Sequence, residues 1–187
     1  MNREYGMAQI AQISQIAKYE NEEVTLQGWL YNKRSSGKLR FLLVRDGSET
    51  IQCVVFKKDV SEESFAAADA LTQESSVKIT GKVVKDERAP IGFEIQVSEV
   101  EALQIADEYP IAKKDHGTDF LMDHRHLWLR SKRQHAILMI RHQIIHAARE
   151  FFDNRDFILV DSPIFTPNAA EGTTTLFETD YFGSSAY

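Results

Sequence analysis

Cysteine, proline and long apolar runs are scarce in this chain of 187 residues. The lone cysteine, Cys53, excludes a disulfide framework and argues against a zinc-thiolate site, so a reducing, cytoplasmic compartment fits best. No apolar stretch approaches the roughly 20 residues that a membrane-spanning helix needs, so we expect no membrane partner. The N-terminal residues include acids and no unbroken apolar core, which argues against a secretory signal.

Acidic residues are missing from one segment. Between Val24 and Arg45 the chain carries a charge of +5, whereas the whole chain carries −6. The basic residues of this segment are Lys33, Arg34, Lys38, Arg40 and Arg45. A basic segment on an acidic body suits a focused polyanion site, because close phosphates feel nearby charges more than screened distant ones. A basic hairpin that is merely solvated is the alternative, and charge alone favours it.

Alternating apolar residues and turn signals predict a small β-barrel in the first half of the chain. A short amphipathic helix is predicted over Met7–Tyr19, and a second helix after an N-cap at Ser61. The predicted strands are Val24–Tyr31, Leu39–Arg45, Thr50–Phe56, Ser76–Val84 and Phe93–Leu103, with turns at Asn32–Lys38 and Asp46–Ser48. Three strands, a helix and two strands is the order of the five-stranded oligonucleotide-binding barrel, the OB-fold. Other small β-barrels could yield a similar count.

The second half is predicted to be a separate region joined by a linker. We expect domains at 1–105 and 121–187, with a linker over 106–120 that has Pro, Gly, mixed charge and no clear period. A long helix is predicted from Ser131 to Phe152. Its apolar stripe is broad enough to suggest burial on more than one side, for instance against a second subunit. A short strand at Phe157–Val160 and a final aromatic strand at Leu176–Tyr187 are also predicted.

These residues resemble a class II aminoacyl-tRNA synthetase of the aspartate, asparagine and lysine subgroup, over essentially the whole chain. The helix Arg133–Phe152 followed by DFILVDSP is similar to the family's first signature motif, which ends in a fixed proline, here Pro163. The runs FLMDHRHLWLRS and AAEGTTTLFETDYF resemble asparaginyl members in particular. The resemblance implies an OB-fold that binds the anticodon, followed by the start of an α+β catalytic domain with an antiparallel sheet and flanking helices.

The resemblance also implies a function. It indicates an asparagine–tRNA ligase, which forms asparaginyl adenylate from ATP and transfers the acyl group to tRNA. The implied partners are tRNA, asparagine and a second copy of the chain, with a dimer interface at Ile137, Ile140, Ile144 and Pro163. ATP and Mg²⁺ would be bound by the full-length enzyme. The family's two later arginine motifs are not in the sequence, so we expect an N-terminal portion that is inactive alone and holds no catalytic residue.

Four residues receive site roles from the resemblance. Phe41 stands where the family stacks an aromatic ring on the middle anticodon base. Gln52 stands where the family has a base-reading glutamine, whose amide can both donate and accept and so can read a uracil. Arg34 matches an arginine that contacts the anticodon loop. Glu171 matches the Glu-Gly loop that closes over the amino-acid substrate. Alternation within its strand cannot decide whether Phe41 lies in the core or on the surface, because both faces of that strand are apolar. Without the resemblance a core position is favoured, and with it a stacking position on the surface.

Several other interpretations stay open or are disfavoured. Gln52 could be an ordinary outward polar residue, and Lys33, Lys38 and Arg40 could be phosphate neighbours or solvated charges. No metal site is predicted, because the six histidines include no His-Glu-x-x-His pattern and no cysteine lies near them. The alternative functions are an aspartyl-tRNA synthetase and a truncated, non-catalytic OB-fold protein that binds tRNA.

Overall fold

The computed structural model describes residues 9–166 and 176–187. It divides the chain into two compact units, one up to Lys114 and one from Asp115 onward. No helix among the described residues is both long and apolar enough to cross a membrane.

The first unit is built on a closed five-stranded barrel. The short strand β1 (Gln9–Ile10) pairs with the beginning of the next strand, β2 (Glu23–Ser36), and is not part of the ring. The five barrel strands are β2, β3 (Leu39–Arg45), β4 (Thr50–Phe56), β5 (Ser76–Lys85) and β6 (Phe93–Gln104), and helix α1 (Glu62–Ala70) lies between β4 and β5. The sheet order is β1-β2-β3-β4-β6-β5, and an additional pairing of β2 with β5 closes the ring. β4 and β6 pair in parallel, and the other barrel pairs are antiparallel. The predicted OB-fold is thereby confirmed.

The core fills the barrel because successive strand residues point to opposite faces. Inward residues from all five strands are fully buried, among them Leu26, Leu42, Cys53, Ile79 and Ile95. Gly28 allows the barrel to close tightly, since a Cβ there would collide with the backbone carbonyl of Arg45.

Helix α1 closes one end of this core. The Ser61 hydroxyl accepts a hydrogen bond from the Ser64 amide at 3.1 Å, which confirms the predicted N-cap. Phe65, Ala68 and Leu71 then bury their side chains among the strand residues. The helix is therefore fixed to the barrel by its own apolar face.

The turn predicted over Asn32–Lys38 is wrong for residues 32–36. β2 continues through this stretch after a bulge between Leu30 and Asn32, and Ser36 pairs with Leu39. The turn is confined to Gly37 and Lys38, and Gly37 has the positive φ (54°) that glycine tolerates. Ser and Asn suggested a loop, but cross-strand pairing with β3 overrides that local preference.

The predicted helix Met7–Tyr19 is also corrected. Residues 1–8 lie outside the described part, β1 pairs in parallel with β2, and a 3-10 helix occupies Ile13–Tyr19. Asp46, in the predicted turn after β3, accepts a hydrogen bond from a backbone N–H at the start of that helix. Its Oδ2 accepts from the Ile13 amide at 2.8 Å.

The second unit is mainly helical where it is described. Its elements are α2 (Thr118–Asp123), α3 (Arg125–Trp128), α4 (Lys132–Asp153), β7 (Thr179–Tyr181) and β8 (Ser184–Ala186). The long predicted helix is confirmed as α4. The strand predicted at Phe157–Val160 is wrong, because no strand in the described residues pairs with it. The single strand predicted over Leu176–Tyr187 is instead the β7–β8 hairpin, which turns at Phe182 and Gly183.

Asp46→Ala should destabilise the first unit in a pH-dependent way. Burial opposes ionisation of Asp46, but hydrogen bonds from Ser48 and from the Ile13 amide prevail and hold its pKa below the ordinary value. A carboxyl with a depressed pKa stabilises the fold above its unfolded pKa, and this contribution is lost as pH falls through the folded pKa. We expect a loss of about 1–2 kcal/mol in the free energy of unfolding near neutral pH. The loss should shrink below about pH 4.

Urea unfolding near neutral pH and at about pH 3 measures this difference. Asp59→Ala is the matched control, because Asp59 is exposed and no side-chain hydrogen bond of its carboxylate is seen in the described residues. An Asp46→Ala loss that is the same at both pH values would contradict the capping role.

Candidate nucleic-acid interface

The outer face of the barrel brings together three residues that the sequence singled out. Arg34 on β2 pairs with Phe41 on β3, and Phe41 pairs with Val54 on β4. Gln52 lies one outward position away from Val54 along β4. Arg34, Phe41 and Gln52 therefore lie on one continuous surface, and all three remain at least partly exposed.

The structure decides the orientation of Phe41, which the strand pattern left open. Leu42 and Val44 are fully buried, so the alternate residues Leu39, Phe41 and Leu43 face outward and are half-buried. The Arg34 guanidinium lies over the Phe41 ring, 4.6 Å from Cζ to the ring centroid. This contact is a cation–π interaction between cross-strand partners.

Gln52 has one end of its side-chain amide fixed. Its Nε2 donates to Glu94 Oε2 on β6 at 3.1 Å. An ionised carboxylate only accepts hydrogen bonds, so Nε2 must face Glu94, and Oε1 must point away from it. Within the described residues no other hydrogen bond of the Gln52 side chain is seen, so Oε1 and the second N–H are available to a ligand. Glu94 was not identified from the sequence, because an outward acid in an alternating strand carries no distinguishing signal.

A cleft of about 540 Å³ lies beside this surface. Its lining includes Leu39, Val54, Phe56, Glu94 and Gln96. Because Val54 and Glu94 are strand neighbours of Phe41 and Gln52, the cleft extends the outward-facing patch. Its size lies in the range of small-molecule binding pockets.

Three of the five basic residues in the segment are held by contacts within the protein. Lys33 donates to backbone carbonyls at the end of α1, and Arg40 forms an ion pair with Asp69. Arg45 forms an ion pair with Glu74. The alternative that Lys33 and Arg40 are solvated charges is therefore wrong.

The two remaining cations differ from these three. Lys38 and Arg34 are exposed, and no ion pair is seen for either among residues 9–166 and 176–187. They are the cations of this segment that remain available to a phosphate.

The pKa directions agree with this division of the charges. Burial lowers the pKa of Lys33, and the nearby Asp69 carboxylate opposes that effect. The hydrogen bond from Arg40 holds the pKa of Asp69 below its ordinary value. Both partners of the ion pair are thus charged at neutral pH.

In the second unit, the predicted interface residues are exposed. Ile137, Ile140 and Ile144 on α4 are 46%, 61% and 64% exposed, and Pro163 is also exposed. Glu171 lies outside the described residues.

Comparison with known families agrees with this geometry. Residues 24–103 match the model of the OB-fold nucleic acid binding domain of the anticodon type. Residues 117–185 match the model of class II tRNA synthetases of the D, K and N group. A barrel of this kind followed by this second region defines a class II synthetase, and the chain belongs to that family. The resemblance drawn from the sequence is confirmed.

Individual relatives are more specific. The asparagine–tRNA ligase of Sorangium cellulosum is 59% identical over 175 residues, which cover 93% of this chain and 39% of the relative. That of Chloroflexus aurantiacus is 58% identical over 172 residues, covering 92% and 39%. The crystal structure of asparaginyl-tRNA synthetase from Pyrococcus horikoshii complexed with asparaginyl-adenylate aligns with a TM-score of 0.86 at 37% identity, covering 95% of this chain and 42% of that one. The chain thus spans about two fifths of the length of these relatives.

Alternation on β4 predicts opposite reactivities at adjacent positions. Burial raises the pKa of the Cys53 thiol, with a further contribution from Glu94, and the side chain is fully buried. We expect native Cys53 to react with iodoacetamide about a hundredfold or more slowly than a cysteine at position 52, measured as Gln52→Cys combined with Cys53→Ala. Mass spectrometry over time gives both rates.

Unfolding in urea supplies the control, since both cysteines should then react at similar rates. Native Cys53 reacting as fast as unfolded Cys53 would show that the assignment of faces is wrong.

Proposed function

We propose that this chain is the tRNA-selecting and dimer-forming part of an asparagine–tRNA ligase. The observation that carries the proposal is the outward placement of Phe41 and Gln52 on adjacent strands of an OB-fold, beside the exposed cation Arg34. The 59% identity to the Sorangium cellulosum asparagine–tRNA ligase supports the amino acid assignment. A ligase of this type works with tRNA in the cytoplasm, where the unpaired thiol of Cys53 stays reduced.

In the whole reaction, the asparagine carboxylate attacks the α-phosphorus of ATP and pyrophosphate leaves. A hydroxyl of the tRNA 3′-terminal ribose then attacks the adenylate carbonyl and AMP leaves. Mg²⁺ would neutralise the phosphates when bound. No cluster of three or more His, Cys, Asp or Glu that could hold a metal is found among the described residues. We assign no chemical step of this reaction to the described residues. Glu171 remains a proposed ligand of the substrate ammonium group.

Phe41 and Arg34 provide a platform for one unpaired base. A planar base can stack on an aromatic ring or on a guanidinium plane, and here the Arg34 Cζ already lies 4.6 Å from the centroid of the Phe41 ring. The exposed Arg34 also carries N–H groups that can reach a loop phosphate. Stacking supplies affinity that does not depend on the identity of the base.

Gln52 supplies the base preference, and its hydrogen bond to Glu94 fixes the orientation of its side-chain amide. Uracil presents N3–H as a donor beside the carbonyl O4, which matches the free Oε1 and free N–H of Gln52. Cytosine reverses both groups and would place acceptor against acceptor and donor against donor. The amide cannot flip to suit cytosine without breaking the 3.1 Å hydrogen bond to Glu94. Uracil is the middle base of the GUU anticodon that pairs with asparagine codons.

The exposed apolar residues of the second unit support a homodimer. Ile140 and Ile144 share one side of α4, and the following run Phe157–Val160 is apolar and exposed, with Ile158 at 88% and Val160 at 78%. Monomeric proteins rarely expose contiguous apolar surface of this kind. Pairing of this face with its own copy in a second chain would bury the α4 stripe and give residues 157–160 a partner.

Two substitutions test RNA selection by the 187-residue chain. Phe41→Ala should weaken binding of an anticodon stem-loop by about 5-fold to 150-fold, because one stacking contact is worth about 1–3 kcal/mol. Gln52→Ala should reduce the preference for a GUU loop over a GCU loop. Fluorescence anisotropy with labelled stem-loops measures both effects.

Phe182→Ala is the matched aromatic control, because Phe182 is 93% exposed and lies in the second unit. It should leave stem-loop affinity unchanged. Equal affinity for wild type, Phe41→Ala and Gln52→Ala would disprove the assignment of RNA reading to this surface.

Ile140→Glu should convert a dimer of this chain into a monomer, because a charge would be placed within the apolar stripe of α4. Sedimentation velocity over a range of protein concentrations measures the change. His146→Glu introduces the same charge on the polar side of the same helix and should leave the dimer intact. A wild-type chain that sediments as a monomer at all concentrations would refute the proposed interface.

A further inference from the structure

We infer that Lys33 and Arg40 are positioning residues, which fasten the β2–β3 hairpin to α1 and thereby hold Arg34 and Phe41 in place, instead of contacting RNA themselves. The inference rests on the function proposed for Arg34 and Phe41. It assigns opposite roles to neighbouring basic residues that the sequence presents as one positive cluster.

Lys33 acts as a cap for α1 from a distant strand. Its Nζ donates to the carbonyl oxygens of Asp69 at 2.5 Å and Leu71 at 2.8 Å, with a longer contact of 3.4 Å to Ala68. These carbonyls belong to the end of the helix, where backbone acceptors lack helical partners and the helix dipole is negative. α1 has no basic residue of its own in its last turn. An ammonium has three N–H donors, and all three are directed at this helix end, so none is left for a phosphate.

Arg40 ties the same hairpin to the side of α1. Its Nε and Nη2 bind the two carboxylate oxygens of Asp69, the second at 3.1 Å. Nη1 donates to the carbonyls of Gly37 at 2.8 Å and Leu39 at 3.0 Å, which belong to the hairpin turn and its flank. Cζ lies 4.5 Å from the centroid of the Phe65 ring. Four of its five N–H groups are therefore occupied, in the fork geometry that makes arginine–carboxylate pairs strong.

The contacts of Lys33 and Arg40 with the end of α1 form a clamp on the β2–β3 hairpin. Strand alternation connects this clamp to the outer surface. Lys33 precedes Arg34 on β2 and Arg40 precedes Phe41 on β3, so members of each pair point to opposite faces. Lys33 also pairs in register with Leu42, which is fully buried. The clamp thus holds the inward side of the two strands whose outward side carries Arg34 and Phe41.

The clamped segment is one that the rest of the sheet supports poorly. The pairing of β2 with β5 ends at Trp29, and beyond the bulge the described part of β2 pairs with β3 alone. Helix α1, in contrast, is fixed by buried Phe65, Ala68 and Leu71 and by the Ser64 hydroxyl, which accepts from the Val100 amide at 3.1 Å. The contacts of Lys33 and Arg40 join the end of this hairpin to the anchored helix. The hairpin therefore loses less conformational freedom when RNA binds.

Asp69→Ala should change stem-loop affinity in opposite directions according to whether Lys33 and Arg40 position the hairpin or contact RNA directly. The substitution removes a negative charge from the end of α1 and frees Arg40, so direct contact predicts equal or tighter stem-loop binding and a steeper salt dependence. Positioning predicts binding about three- to tenfold weaker, with the slope of log affinity against log salt unchanged. Asp69→Glu should restore affinity, because it can rebuild the ion pair. Anisotropy titrations of a GUU stem-loop at several salt concentrations measure both quantities.

Lys33→Met and Lys38→Met form a matched pair that each remove one lysine charge. Lys33→Met should weaken stem-loop binding without changing the slope of log affinity against log salt. Lys38 lies at the exposed turn, so any weakening by Lys38→Met should come with a smaller slope, as expected for a lost phosphate contact. A Lys33→Met slope reduced by about 0.7–0.9, the value for one lost phosphate contact, would overturn the inference.

Failure of the clamp and failure of RNA binding give different results. If Phe41→Ala weakens binding and Asp69→Ala does not, the positioning inference is wrong and the proposed function stands. If the wild-type chain does not bind the stem-loop, the proposed function fails. Amide hydrogen exchange of the free protein then still tests the clamp, because residues 33–42 should exchange faster in Asp69→Ala than in wild type. Unchanged exchange there would refute it.

Discussion

Closure of the barrel by the β2–β5 and β4–β6 pairings is the constraint on which the rest of the first unit depends. Once the sheet is closed, each strand residue is committed to the interior or to solvent. Cys53 is sealed at 0% exposure, and Gln52 beside it reaches the outer surface and Glu94. The same rule sends Lys33 towards α1 and Arg34 towards solvent. Interior packing and the proposed recognition surface are therefore two consequences of one geometry.

The formal charge of the basic segment is larger than the positive charge that is available to a bound polyanion. Lys33, Arg40 and Arg45 are bound to α1 carbonyls, Asp69 and Glu74, while Arg34 and Lys38 remain exposed. Two free cations give weaker and less salt-dependent attraction than five would. Recognition in the proposed function consequently depends more on stacking at Phe41 and on the fixed amide of Gln52 than on net charge.

Strand positions in the first unit were predictable where alternation and local signals agree. Thr50–Phe56 and the Ser61 cap are examples, since each depends on residues close in sequence. The errors occur where distant partners override local preference. Pairing with β3 extends β2 through polar residues 32–36, and Phe157–Val160 has strand propensity but no strand beside it in the described residues. Glu94 and the Lys33–α1 contact were not predictable, because their partners lie 42 and 38 residues away.

By itself, the sequence determined that neighbouring strand residues occupy opposite faces, that the chain has an OB-like order of elements, and that it resembles the class II synthetases. These features follow from the period of the pleat, from turn chemistry and from local motifs. It could not determine which face of β3 is buried, because Leu42 and Val44 are as apolar as Leu39, Phe41 and Leu43. Only barrel closure decided that Phe41 faces outward. Only the tertiary contacts with α1 and with Glu74 decided which cations are free, since a charge becomes structural when folding brings a partner within hydrogen-bond distance.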